Sequence, residues 1–251
     1  MKAIIYSILS GIIFLLPVPI KAQFLVDLES GAAFTGNNTV RIPGDQGTRF
    51  SLKNNLQSET AFFYRLQLSY TLKSRHTFSL LYAPLKTKSE GIPDKDILFK
   101  EVLFPANTQL KGTYKFNSYR LKYRYDIIKR EKLEFGIGIT AKIRDAKIAL
   151  ASPEQTSEKT NVGFVPLINF RLFWNIDDKF GLLLDGDALA APQGRAEDVL
   201  IAATFKLSDS FSIRTGYRIL EGGADNDEVY NFSLFNYASF GITYTLKKPK
   251  E

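Results

Sequence analysis

The feature that most constrains this chain is an alternation of apolar and polar residues with a period of two, sustained through most of the sequence after residue 23. Residues Phe62, Tyr64, Leu66, Leu68, Tyr70 and Leu72 interleave with Phe63, Arg65, Gln67, Ser69 and Thr71. The same pattern sets Tyr119, Leu121, Tyr123 and Tyr125 against Arg120, Lys122, Arg124 and Asp126, and Phe135, Ile137, Ile139 and Ile143 against Gly136, Gly138, Thr140 and Arg144. Successive side chains of a strand point to opposite faces, so each segment has one greasy face and one wet face. No convincing 3.6-residue period follows residue 22, which leaves helices a minor part at most.

Strands are predicted near 24–35, 60–72, 76–88, 109–127, 132–148, 161–175, 178–190, 195–207, 210–221 and 231–246. Their connections alternate in length. Short turns lie at residues 73–75, 128–131, 176–178 and 208–210, and long polar connections at about 36–59, 89–108, 149–160, 189–194 and 222–230. An even strand count with short turns on one side and long loops on the other predicts an all-β, antiparallel up-and-down transmembrane β-barrel of about ten strands. Tyr70, Phe78, Tyr125, Phe135, Trp174, Phe180, Phe205 and Phe211 each sit a few residues from a short turn, where a girdle of rings meets lipid headgroups. A soluble sandwich or small soluble barrel would have to bury the aromatic face, and the chain holds 20 Phe and 12 Tyr. A lipid-facing wall accommodates them. Between Phe116 and Tyr119 the apolar phase slips by one residue, which predicts a β-bulge at Asn117-Ser118.

The first residues read as an export signal. Lys2 precedes an apolar run from Ile4 to Leu16, and Ala22 offers a small residue at the cleavage point. The run is shorter than the ~20 residues that span a bilayer as a helix. Residues 1–22 are therefore read as a cleaved signal peptide and 23–251 as a single outer-membrane barrel domain. Loss of Lys2 and Lys21 with no acid lowers the formal charge from +7 to +5, spread along the chain apart from Lys247, Lys248 and Lys250. No basic patch is interleaved with stacking aromatics on one element, so nucleic acid is not an expected partner. Anionic lipid headgroups are.

At the C-terminus, Ser239-Phe240-Gly241-Ile242-Thr243-Tyr244-Thr245-Leu246 resembles the assembly signal on the last strand of bacterial outer-membrane barrels, with Leu246 where an aromatic is usual and five residues beyond it. With the export signal and the hairpin pattern, the whole mature chain resembles the outer-membrane β-barrel superfamily of small OmpA-like and OmpW-like barrels. That resemblance implies residence in the outer membrane of a Gram-negative cell and contact with outer-membrane lipid, lipopolysaccharide and the barrel assembly machinery.

Zero cysteines and one histidine, His76, exclude disulfides, Cys-ligated metals and multi-histidine metal sites. Neither a cofactor nor a metal is expected. Extrapolated alternation places Asp27, Glu29, Arg65, Arg120, Lys122, Arg124, Glu134, Lys142, Arg144, Arg171, Asp185, Asp187, Lys206, Arg214 and Arg218 in the lumen. A barrel of eight to ten strands is narrow enough for side chains to fill, and charges there must pair. The predicted cluster is Asp185 and Asp187 reaching Arg214 and Arg218, with Arg65, Arg120 and Lys122 around them. It serves a structural or gating role.

Three functions follow: an envelope or surface protein with a charged, constricted lumen; a narrow porin-like channel, anion-preferring because bases outnumber acids among those lumen positions; or a hydrolase acting on lipid or peptide. Against the last, His76 sits at the short-turn end, away from the surface rim, and no catalytic residue is assigned. The acidic stretch Glu221 to Glu228 lacks the full twelve-residue calcium-loop pattern and reads as a solvated turn. Loop 36–59 is long enough to fold over or into the mouth.

Overall fold

The computed structural model describes residues 23–191 and 194–246, so the signal segment and Lys247, Lys248 and Lys250 lie outside the described residues. The chain forms a closed antiparallel barrel of ten strands: β1 (Gln23–Arg41), β2 (Ala61–Leu72), β3 (His76–Ala83, resumed at Lys86–Gly91), β4 (Leu110–Lys129), β5 (Leu133–Ala151), β6 (Thr156–Asn175), β7 (Phe180–Ala191), β8 (Gly194–Lys206), β9 (Phe211–Asp225) and β10 (Tyr230–Leu246). Each pairs with its sequence neighbour. Closure comes from β1 on β10, running from Phe24 opposite Leu246 to Arg41 opposite Tyr230. The strand pattern of the sequence is that of the molecule, although several strands run further outward than the alternation indicated. The connection expected at 149–160 shrinks to a turn because β5 and β6 stay paired up to Ala151 opposite Thr156.

Strands β4, β5 and β6 hold 20, 19 and 20 residues, whereas a tilted strand crosses a bilayer in about 9–11. The surplus projects on the long-loop side. Around the lower part, large apolar side chains point outward and stay exposed: Leu28, Leu80, Leu121, Ile127, Ile139 and Ile201 along the wall, with Tyr70, Phe78, Tyr125, Trp174, Phe180 and Phe211 near the short turns. In water that much exposed apolar surface on one wall is unfavourable. In lipid it is the required contact.

The interior changes character with height. The upper part is filled by an apolar plug in which segments of the two long loops fold inward: Ile42, Phe50, Leu52 and Leu56 from residues 42–59, and Ile97, Phe99 and Phe104 from a small hairpin, pack on Phe63, Leu110, Tyr114 and Phe235 of the wall. Gly44 N–H donates to the Asp227 carbonyl, which ties the first loop to the turn between β9 and β10. That acidic turn is locally closed, with Asn226 Oδ1 accepting from the Glu228 and Val229 amides.

The bulge expected at Asn117-Ser118 is absent. Pairing runs unbroken through Asn117 opposite Asp145 and Ser118 opposite Arg144, and the shift in this ladder falls between Phe135 and Gly136, beside Ile127. What changes at residue 117 is the surroundings. Leu110, Tyr114 and Phe116 point inward to the plug, while Tyr119, Leu121 and Tyr125 point outward and are exposed. The apolar phase flips while the backbone parity does not.

Candidate functional site

Below the plug, the waist of the lumen is crossed by ion pairs. Asp27 and Glu29 come from β1, Arg65 from β2, Arg120 and Lys122 from β4, Asp187 from β7, Asp198 from β8, and Arg214 and Arg218 from β9, so six of the ten strands contribute a charge. Each stands on the inward parity of its strand, which is why alternating positions supply them.

Asp198 is the hub. Its carboxylate accepts from Arg120 Nη2 and Arg218 Nη1 at 2.5 Å each and from Arg65 Nη2 at 3.0 Å. Arg120 also reaches Asp187 through Nη1 at 2.6 Å and donates from Nε to Ser118 Oγ at 2.9 Å. Lys122 Nζ lies 3.1 Å from the same Asp187 oxygen, while the Thr140 hydroxyl donates to the other at 2.6 Å. Arg218 makes a two-pronged contact with Glu29, Nε to Oε1 at 2.7 Å and Nη2 to Oε2 at 2.8 Å, and Ser239 Oγ donates to Glu29 Oε1. Arg214 forks onto Asp27 and also lies 3.1 Å from Glu29. Planar guanidinium forks on carboxylates are the geometry in which buried ion pairs offset their desolvation. The remaining space at this waist is about 40 Å³, room for a few waters.

The predicted pairing of Asp185 and Asp187 with Arg214 and Arg218 is not the one formed. Asp187 goes to Arg120 and Lys122 on the opposite wall, Asp185 lies 3.8 Å from Arg171 on the adjacent β6, and the two β9 arginines are taken by Asp27, Glu29 and Asp198. The reason is the register: β8 lies between β7 and β9, and Asp198, directly opposite Asp187, takes Arg218, while Arg214 is taken by Asp27 and Glu29 of β1. Sequence reasoning missed Asp198 even though it shares parity with Leu200, Ala202 and Thr204. Reading inward from Ala202 to the outer end of β8 reaches it.

Below the waist a polar chamber of about 750 Å³ is lined by Gln67, Arg124, Asp126, Glu134, Arg171 and Lys206 among others. His76 stands at this end, its Nδ1 3.0 Å from the Tyr123 hydroxyl. In the adjoining turn, the Lys179 and Phe180 amides both donate to Asp177 Oδ1 at 2.8 Å and hold its carboxyl below the usual range. Among the described residues no group of three or more metal-ligating side chains comes together.

No protein-family model matches the chain, and no curated protein matches it. Among solved structures it is similar to the outer membrane protease OmpT from Escherichia coli, at 10% identity and a TM-score of 0.57 over 89% of this chain and 97% of that one. Ail, the attachment invasion locus protein of Yersinia pestis, matches at 12% identity and 0.41 over 89% and 98%. Neisserial surface protein A matches at 13% and 0.34 over 88% and 96%. At such identities the likeness concerns the fold. The chain thus has the ten-stranded fold of the small outer-membrane β-barrels, with no particular member singled out.

Proposed function

We propose that this chain resides in the outer membrane as a surface-exposed envelope protein whose barrel is closed to the passage of solutes. The observation that carries the reading is the waist: about 40 Å³ of space among charges that are already paired, between a periplasmic chamber of about 750 Å³ and an apolar plug. An ion crossing it would have to displace bonded charges, and an unpaired buried charge is costly. The outward apolar wall supports placement in a membrane, in contact with outer-membrane lipid and lipopolysaccharide on the long-loop side. Delivery there implies the barrel assembly machinery. Hydrolysis is not proposed. His76 lies at the periplasmic end hydrogen-bonded to Tyr123, and Asp185 and Asp187 both face cations.

The test is conductance in planar bilayers. The wild type is expected to show no ohmic pore, and Asp198→Asn, which removes an acid shared by Arg65, Arg120 and Arg218, is expected to open an anion-selective leak. An open pore in the wild type would replace this reading with that of a narrow anion channel, for which the surplus of cations over acids at the waist is the supporting observation.

A further inference from the structure

Strand β6 begins at Thr156, yet its ladder with β7 begins only at Ile168 opposite Ala188. Above that level β6 is paired on one side alone, with β5. Pro166 sits at the parting point and has no amide hydrogen to continue a ladder. Strands β7 and β8 also stop short, at Ala191 and Gly194. Gly194 adopts a φ of +149°, and a Cβ there would meet the Gly223 carbonyl oxygen at 2.2 Å, so only glycine lets β8 start so close against β9. Among the described residues the wall is therefore open sideways between upper β6 and the outer ends of β8 and β9. Across the top, Lys159 Nζ lies 3.2 Å from Glu228 Oε2, so the opening is a window with a closed lintel.

Behind the window is a chamber of about 510 Å³, within the ~300–1,000 Å³ of small-molecule sites. Its lining is mainly apolar, with Phe116, Ile148, Val165, Leu189 and Leu220 on the wall and Ile42 from the plug. On the β6 border of the window, Val162, Phe164 and Ile168 point outward and are 70%, 63% and 47% exposed. This border belongs to the lipid-facing surface. A molecule in the outer leaflet meets the window without crossing water.

Two cations face this chamber without an acid of their own. Lys142 is 2% exposed, and its ammonium lies 4.6 Å over the Phe116 ring. Arg144 spends one nitrogen on Asn161, while its buried Nε has no partner. Neither makes an ion pair among the described residues, and the carboxylates of Asp187 and Asp198 below are engaged by four other cations. An apolar chamber with uncompensated cations on its wall is complementary to an apolar chain with an anionic head.

We propose that the window and chamber form a binding site for a single-chain anionic amphiphile, an acyl chain carrying a carboxylate or phosphate, which enters laterally from the outer leaflet and sets its head against Lys142 and Arg144. The site stands whether or not the waist conducts, so its fate is separable from that of the closed-barrel reading. The experiment uses the purified, folded barrel in a nonionic detergent, with binding of hexadecanoate, palmitoyl lysophosphatidate and hexadecanol followed by native mass spectrometry. One molecule of either anion is expected per barrel, with hexadecanol at least tenfold weaker. The double variant Lys142→Met with Arg144→Met is expected to lose the preference for anions, and Ala196→Trp, which fills the chamber, to lose all three probes. Both variants must keep the heat-modifiable band shift of the folded barrel. Tighter binding of the lysophosphatidate assigns the site to a lipid headgroup, and tighter binding of hexadecanoate to a free fatty acid. Equal affinity for hexadecanol, no binding of either anion, or anion binding unaffected by the folded double variant would each overturn the proposal. Where a Met variant fails to fold, the probe preference of the wild type and the folded Ala196→Trp variant decide between the same outcomes.

Discussion

The lower and upper parts of this barrel obey one backbone rule and opposite polarity rules. In the lower part Arg120 and Lys122 point inward while Tyr119 and Leu121 point outward, whereas in the upper part Leu110 and Tyr114 point inward at 0% and 3% exposure. Strand β4 passes from one regime to the other with no break in register between Lys111 and Tyr125. The difference lies in what touches the outside. Against lipid, apolar groups go out and polar groups must satisfy one another within. Against water the arrangement reverses to that of a soluble protein, with its own plug as core. Alternation alone reports a strand, and the phase of the alternation reports the solvent.

The largest effect is expected from the lower interior. Asp198→Asn removes the charge shared by three buried arginines and leaves Arg120 with Asp187 and Arg218 with Glu29 as their remaining acids, at a cost of about 3–5 kcal/mol by the usual penalty for breaking a buried pair. Urea unfolding of the barrel refolded into vesicles measures it. Asp227→Asn in the exposed outer turn is the comparison and is expected to change nothing measurable. A loss below about 0.5 kcal/mol for Asp198→Asn, the ceiling for an ordinary surface change, would mean the waist is not held by charge.

The next effect tests the outside. Ile137→Arg places a charge on the lipid-facing wall and is expected to cost about 2–4 kcal/mol, while Thr160→Arg, also outward but on the part of β6 that projects beyond the membrane, is expected to be near neutral. The same unfolding assay applies. Equal costs at both positions would erase the boundary between the two regimes.

That boundary marks what the sequence discloses. The strands, their antiparallel order and the inward parity of Arg65, Arg120, Lys122, Asp187, Arg214 and Arg218 are legible because period two is a local property. The pairing across the lumen is not. Which carboxylate meets which guanidinium depends on strand tilt and on what the other strands contribute: Asp198 on β8 and Glu29 on β1 take Arg218, and Asp27 and Glu29 take Arg214. Polarity also misled where it changed phase, because the shift from Phe116 to Tyr119 looks like a bulge unless the plug is known. The plug is built from segments near residues 42–59 and 97–104 that carry no long alternation. The side window rests on the absence of a ladder above Ile168, for which Pro166 was the single local sign.

A smaller effect tests whether the upper interior behaves as an ordinary core. Tyr114 is buried in the plug, its ring 5.3 Å from that of Phe235, and its hydroxyl lies 3.2 Å from Ser233 Oγ. Tyr114→Phe keeps the ring packing and removes one neutral hydrogen bond, so a loss of about 0.5–1.5 kcal/mol is expected. Tyr114→Ala opens a cavity and is expected to cost more, about 3–5 kcal/mol by analogy with Phe→Ala. If the two variants unfold at the same urea concentration, the hydroxyl rather than the ring holds the plug, and the upper region is polar in its energetics after all.

The smallest effect concerns the same carboxylate chemistry in a third setting, water. Asp177 sits in the exposed turn between β6 and β7, where the Lys179 and Phe180 amides donate to it and hold its carboxyl below the ordinary value near 3.8. A carboxyl whose pKa is lower folded than unfolded contributes stability above the unfolded value, and that contribution is lost as the pH falls through the folded one. Asp177→Asn keeps an acceptor for both amides and removes the titration. The midpoints of the wild type and this variant are therefore expected to differ slightly at pH 7 and to converge as the pH falls below about 4, the usual range for an aspartate. Asp198→Asn, measured alongside, is expected to keep a far larger gap at pH 7, because its arginines are buried. A gap for Asp177→Asn that stays constant with pH would assign its effect to turn geometry rather than to charge. A gap at pH 7 as large as that of Asp198→Asn would show that burial is not what separates the waist from the rim.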